Sequence, residues 1–186
     1  AKSPKSYNSQ VGVPLSVWNL KSQHELGIFE AGISQTGEMQ NLQKIINPTI
    51  GIFTTIGTAH AQGFISQKEK IQEKLKLFSQ SQILIYCADY QSITKEISTP
   101  LKTFSWSYTQ RANLQINLKI QNNQSQITFK YQDKTFTFKV DFVEKADLEN
   151  CLHCVATLVY LGFDNSQIQN KLQRLKKPKM RLEIKD

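Results

Sequence analysis

Apolar and polar positions follow two rhythms along this chain. Up to about residue 90, stretches with apolar residues at helical spacing alternate with short, nearly continuous apolar runs. The spacing predicts helices over 10–20 ("QVGVPLSVWNL", with Pro14 near the first turn), 37–46 ("GEMQNLQKII") and 67–78 ("QKEKIQEKLKLF"). In the last of these Ile71, Leu75 and Phe78 share one face. Asn47-Pro48 ends the second, because a residue that precedes proline avoids the helical region. The apolar runs "ELGIFEAG" (25–32), "TIGIFTTIG" (49–57) and "ILIYCAD" (83–89) predict buried strands, and a short helix follows near "SITKEIS". Apolar strands set between helices point to a parallel sheet covered on both faces.

Between residues 113 and 142 the period changes to two. "NLQINLKIQ", "QITFKYQ" and "TFTFKVDF", joined by "NNQS" and the tight "QDKT", predict an antiparallel meander with one solvated face. Two helices follow, over 147–161 with Asp147 as N-cap and over about 164–175. The expected fold is α/β: a mostly parallel sheet flanked by helices, with a small antiparallel β subdomain over about 101–145.

Composition narrows the function classes. In 186 residues, 39% hydrophobic and 20% charged, there is material for one domain with a sizeable core. No apolar run reaches the roughly 20 residues of a membrane span and no signal peptide opens the chain, so a soluble, cytoplasmic protein is expected. The net charge of +8 comes from scattered lysines, with the densest cluster between Lys171 and Arg181. Solvated helix faces account for that pattern, and an anionic small substrate fits it too. No nucleic-acid-binding motif accompanies it. Cys87, Cys151 and Cys154 form no disulfide framework. "CLHC" at 151–154 has metal-like spacing, but it lies in a helical pattern with no second Cys/His pair, so a core helix is expected there.

Ligands of open α/β sheets bind beyond the carboxyl ends of the strands. Three residues occupy such ends in the sequence: Glu30 after "LGIF", His60 beyond "TIGIFTTIG", and Asp89 after "ILIYC". Each has an ordinary alternative: a helix-capping Glu, a packed or exposed His, a turn-starting Asp. Together, a carboxylate and an imidazole facing one crevice can hold a divalent cation that gathers phosphate oxygens.

"SPKSYNSQVGVPLSV", "IFEAGISQTGEM", "PTIGIFTTIGTAHAQGF", "EKLKLF" and "KMRLEIK" occur in an order and spacing that resembles the central, P-loop NTPase-like ATPase domain of the Mur ligases, over almost the whole chain. The likeness is greatest to the member that adds D-alanyl-D-alanine to UDP-N-acetylmuramoyl-tripeptide, in a form fused to alanine racemase. The resemblance implies ATP and Mg²⁺ as cofactors, those two molecules as substrates, and an acyl-phosphate route to an amide. It makes Glu30 and His60 magnesium ligands, Lys74 a lysine carbamylated in several relatives, and Asn150 and Arg181 ATP contacts. It turns Tyr7, Asn8 and Ser9 toward the muramyl-peptide substrate. The sequence departs from the family pattern at Thr55, Thr58 and His153.

No G-x-x-G-K-[ST] phosphate loop is present in the sequence. In the family that loop lies just upstream of "SPKSYNSQ", so the chain is expected to be a piece of a longer ligase, with weak ATP binding and no ligase activity by itself. A related amide ligase, including the type that extends folate with glutamate, and a non-catalytic α/β interaction module are the alternative readings.

Overall fold

The computed structural model describes residues 1–4, 7–57 and 63–175. The chain divides into two compact units. The first comprises Ala1–Tyr86 and Tyr90–Thr103; the second comprises Cys87–Asp89 and the chain from Phe104 onward.

In the first unit, helices α1 (Gly12–Trp18), α2 (Glu38–Ile46), α3 (Gln67–Leu75) and α4 (Gln91–Thr94) accompany strands β1 (Ile50–Phe53) and β2 (Ile83–Cys87). A 3₁₀ turn, Lys76–Phe78, extends α3, so the expected 67–78 helix closes in a tighter turn. β1 and β2 pair in parallel, Ile50 opposite Ile83 through Phe53 opposite Tyr86. Every residue of β2 is buried, as a central parallel strand requires. Gly51 is needed for packing: a Cβ there would lie 2.4 Å from the Phe78 ring. Val13, Met39, Leu42, Ile71 and Leu84 are among the buried side chains of this unit.

The expected strand over 25–32 is reduced to one parallel bridge, Ile28 with Lys2. Leu26 and Ile28 are 63% and 61% exposed, so the apolar run that suggested a buried strand has no ladder around it among the described residues. α2 ends as expected, with Asn47 in the left-handed region at φ 43° ahead of Pro48.

The second unit holds β3 (Thr103–Ser107, from Phe104 onward), which the sequence reading missed, and β4 (Leu114–Gln115). They pair in parallel, Trp106 opposite Leu114. "NLQINLKIQ" is therefore split. Its first residues join β3, and β5 (Asn117–Gln121) begins the antiparallel sheet with β6 (Gln124–Tyr131) and β7 (Lys134–Val140). Both hairpins turn on two residues of positive φ, Asn122-Asn123 and Gln132-Asp133, the backbone twist that two-residue hairpins favour. Phe129, Phe136 and Phe138 cluster on the buried face of this sheet.

α5 (Lys145–Tyr160) buries Leu148, Cys151, Leu152, Val155, Ala156 and Val159, a single helical stripe. It begins two residues before the expected start, after an extended Glu144, so Asp147 lies in the first turn and is not the N-cap. A carboxylate there still favours the positive end of the helix. α6 (Asn165–Leu172) opens with a full capping box between Asp164 and Gln167.

Candidate active site

Glu30 is exposed and takes a 2.8 Å hydrogen bond on Oε1 from the side-chain amide of Asn8. The Asn8 backbone carbonyl accepts from Gly32 N–H at 2.7 Å, so the same residue also holds the chain two positions beyond the acid. Ser9 turns the segment into α1: its Oγ accepts from Gly12 N–H at 3.2 Å and its carbonyl from Val13 N–H. Tyr7 is exposed, and its backbone passes so close to Gly12 that a Cβ there would lie 2.7 Å from Tyr7 Cα.

A second set of charged side chains lies on α3. Ser66 caps this helix by accepting from Glu69 N–H. Lys70 and Lys74, four apart, share one face. Lys70 is buried; its Nζ donates to the Gly57 carbonyl at 2.9 Å and lies 5.9 Å from the Phe64 ring centroid. Lys74 is half-buried. Burial, and then the charge of Lys70, push its pKa below the ordinary lysine value, while Glu30 pulls it back up. Between the two lysines, Glu73 is buried for another purpose. Its Oε1 accepts from Gly37 and Met39 N–H and its Oε2 from Lys76.

Of these residues Glu30 is the one that could serve a magnesium ion. Mg²⁺ takes one or two carboxylates and fills its octahedron with water and phosphate oxygens, so it needs no dense acidic cage. Among the described residues no group of three or more His, Cys, Asp and Glu could hold a metal, but Glu30 offers an exposed carboxylate whose Oε2 receives no hydrogen bond from a described residue. His60 and Arg181 lie outside the described residues.

In the second unit, Asp89 proves structural. Burial alone would raise its pKa, but hydrogen bonds from Ser107 and Thr109 and from the Tyr108 and Thr109 backbone outweigh this and hold it at about 2. With the Cys87 thiol 3.6 Å away as well, its oxygens are committed to the turn after β3. Asn150 is exposed on α5, open to a ligand from solvent. His153, three residues on, points the other way: it is buried and its Nδ1 accepts from the Trp106 indole at 3.2 Å. Nδ1 as acceptor means a neutral ring protonated on Nε2. Cys151 is buried in the same helix, and burial pushes its thiol up to about 12, far from a metal-binding thiolate. Cys151, Leu152 and His153 are core, as the helical pattern indicated, while Cys154 is exposed on the same helix.

Sequence reasoning overlooked Lys70 and Glu73. The signal was present, since Lys70 repeats at Lys74 one helical turn on, but burial of a lysine cannot be read from spacing.

Parallel strands alternating with helices and an antiparallel meander define an α/β domain of the kind that binds ligands at strand ends. A family model described as the Mur ligase middle domain matches residues 1–158, and the chain belongs to the Mur ligase family. The UDP-N-acetylmuramoyl-tripeptide–D-alanyl-D-alanine ligase of Bacillus subtilis is 25% identical over 98% of this chain, and the alignment covers 40% of that protein. The ligase of the same name from Borreliella burgdorferi is 27% identical over 95% of the chain and 39% of its own length. The fold is similar to the crystal structure of MurF ligase from Thermotoga maritima in complex with ADP. The TM-score is 0.80 at 21% identity, covering 95% of this chain and 42% of that one. The chain thus spans about 40% of the length of the curated relatives it matches.

Proposed function

We propose that this chain, as part of a longer polypeptide, supplies the nucleotide side of an ATP-dependent amide ligase. That ligase joins D-alanyl-D-alanine to UDP-N-acetylmuramoyl-tripeptide in peptidoglycan precursor synthesis. The observation that carries the reading is the exposed Glu30 carboxylate, one oxygen held by Asn8 and the other open, in a chain whose relatives bear that name. The terminal carboxylate of the tripeptide attacks the γ-phosphorus of ATP, the bond to ADP breaks, and an acyl phosphate forms. The dipeptide amine then attacks the acyl carbon, the C–N bond forms, and phosphate leaves with the proton passing to solvent.

This chain's residues act by holding and orienting. Glu30, with His60, would hold Mg²⁺, which when bound offsets the negative charge that builds on the transferring phosphoryl group. Lys74 would be the lysine that is carbamylated. A lowered pKa raises the share of neutral amine, which adds to CO₂ with loss of one proton and becomes an anionic oxygen ligand. Asn150 and Arg181 would contact the nucleotide, and Tyr7 and Ser9 would border the peptide substrate. The cytoplasmic setting and the fused alanine racemase expected from the resemblance belong to the same proposal.

In the full-length enzyme, Glu30→Ala and Lys74→Ala should each lower acceptor-dependent phosphate release at least ~100-fold, the scale of losing a major electrostatic contribution. Near-wild-type rates in both variants would overturn the assignment.

A further inference from the structure

We infer that Asn8 is a positioning residue for the Glu30 carboxylate: it fixes Oε1 so that Oε2 is presented to the cation. The inference rests on the reading of Glu30 as a metal ligand.

Glu30 is exposed and lies on a segment whose described pairing is the single bridge at Ile28. Such a side chain would rotate freely unless something outside its own element held it. Asn8 does this at two points. Its side-chain amide donates to Glu30 Oε1 at 2.8 Å, and its backbone carbonyl accepts from Gly32 N–H at 2.7 Å. The orientation of the amide is forced, because an ionised carboxylate accepts only, so the NH₂ end must face it. Asn8 is in turn held through Ser9, whose hydroxyl and carbonyl both bond the start of α1. Gly32 completes the clasp: a Cβ there would lie 3.4 Å from both Asn8 Cγ and the Asn8 carbonyl oxygen. One N–H of the Asn8 amide is thereby engaged with the acid.

Outer hydrogen bonds of this kind typically set metal affinity by 10–100-fold. The test uses the full-length protein and Mn²⁺ as probe, titrated by electron paramagnetic resonance at one saturating ADP concentration, without acceptor and without turnover. Asn8→Ala should weaken Mn²⁺ binding about 10-fold or more. Asn8→Asp, which sets a second carboxylate against Glu30, should weaken it further. In a Glu30→Ala background, Asn8→Ala should add nothing, because the two residues act as one unit. The KM for the muramyl-peptide substrate should stay within about twofold of wild type, since uniform substrate binding is untouched. Both Asn8 variants keep the backbone bond to Gly32, and thermal unfolding serves as the folding control.

If Glu30→Ala weakens Mn²⁺ binding and Asn8→Ala does not, the inference about Asn8 falls alone. If Asn8→Ala raises the KM for the peptide and leaves Mn²⁺ binding intact, Asn8 is a substrate contact and the inference falls. If Glu30→Ala leaves Mn²⁺ binding unchanged, the metal reading and the inference fall together.

Discussion

α2 starts at a glycine. Gly37 is its N-cap and provides no side chain, so the first amides of the helix have no local acceptor. Glu73 fills the gap from α3, accepting from Gly37 N–H at 2.8 Å and Met39 N–H at 3.1 Å on a single buried oxygen. Glu73→Ala removes that acceptor. Met39 is buried, so its amide bears the full cost of an unsatisfied donor, ~1–3 kcal/mol. Gly37 is exposed and its amide can turn to water, leaving a net loss of about 0.5–1.5 kcal/mol. The pair with Lys76, at 2.6 Å, adds little, because the lysine side chain is 45% exposed. The sum is roughly 1.5–4.5 kcal/mol, or roughly 3–18 °C in Tm for a chain of this size. Glu73→Gln keeps an acceptor oxygen but loses the charge assistance, so about half that loss is expected. Lys76→Met should cost less than ~1 kcal/mol. Urea denaturation of the three variants decides the matter. Glu73→Ala within ~0.5 kcal/mol of wild type would refute the capping argument, since a true cap costs at least that much. So would a Lys76→Met loss as large as that of Glu73→Ala, which would make the pair an ion-pair effect.

Two further outcomes follow from other corners of the chain. The Asp89 pKa is held at about 2, below the unfolded value, so its contribution to stability is complete above the ordinary carboxylate range and is lost as pH falls through 2. Asp89→Asn should therefore flatten the acid limb of the stability–pH curve between about pH 4 and 2. Identical acid limbs in wild type and variant would count against the hydrogen-bond account. Gly63→Ala would drive a Cβ to 1.8 Å from the Ser34 carbonyl oxygen, and since backbone must move, a loss of ~1–3 kcal/mol is expected. An unchanged urea midpoint would show that the two segments part without cost.

The alternation of helices and apolar runs was enough to locate β1, β2, α1, α2 and α3; in β2 the continuous apolar sequence reflects burial on both faces, whereas Ile52 of β1 is 40% exposed. The meander was equally legible, since one wet face forces period two. Glu30 stood out for the same reason: a charge that ends an apolar run is visible without coordinates. Tertiary structure decided what periodicity does not encode. Leu114-Gln115 reads as the start of the meander, yet it pairs in parallel with β3, because partner choice depends on which backbone lies alongside. The run through Ile28 has the composition of a buried strand, but its side chains are exposed and it forms one bridge, since burial needs neighbours as well as apolar residues. Asp89 and Glu30 look alike as strand-end acids. Folding surrounds one with donors that consume its oxygens and leaves the other with a single amide and an open oxygen. Sequence by itself determined which residue types stand at the strand ends; only the tertiary structure decided which acid is satisfied, because a carboxylate's capacity to take a ligand is whatever hydrogen bonding has left over.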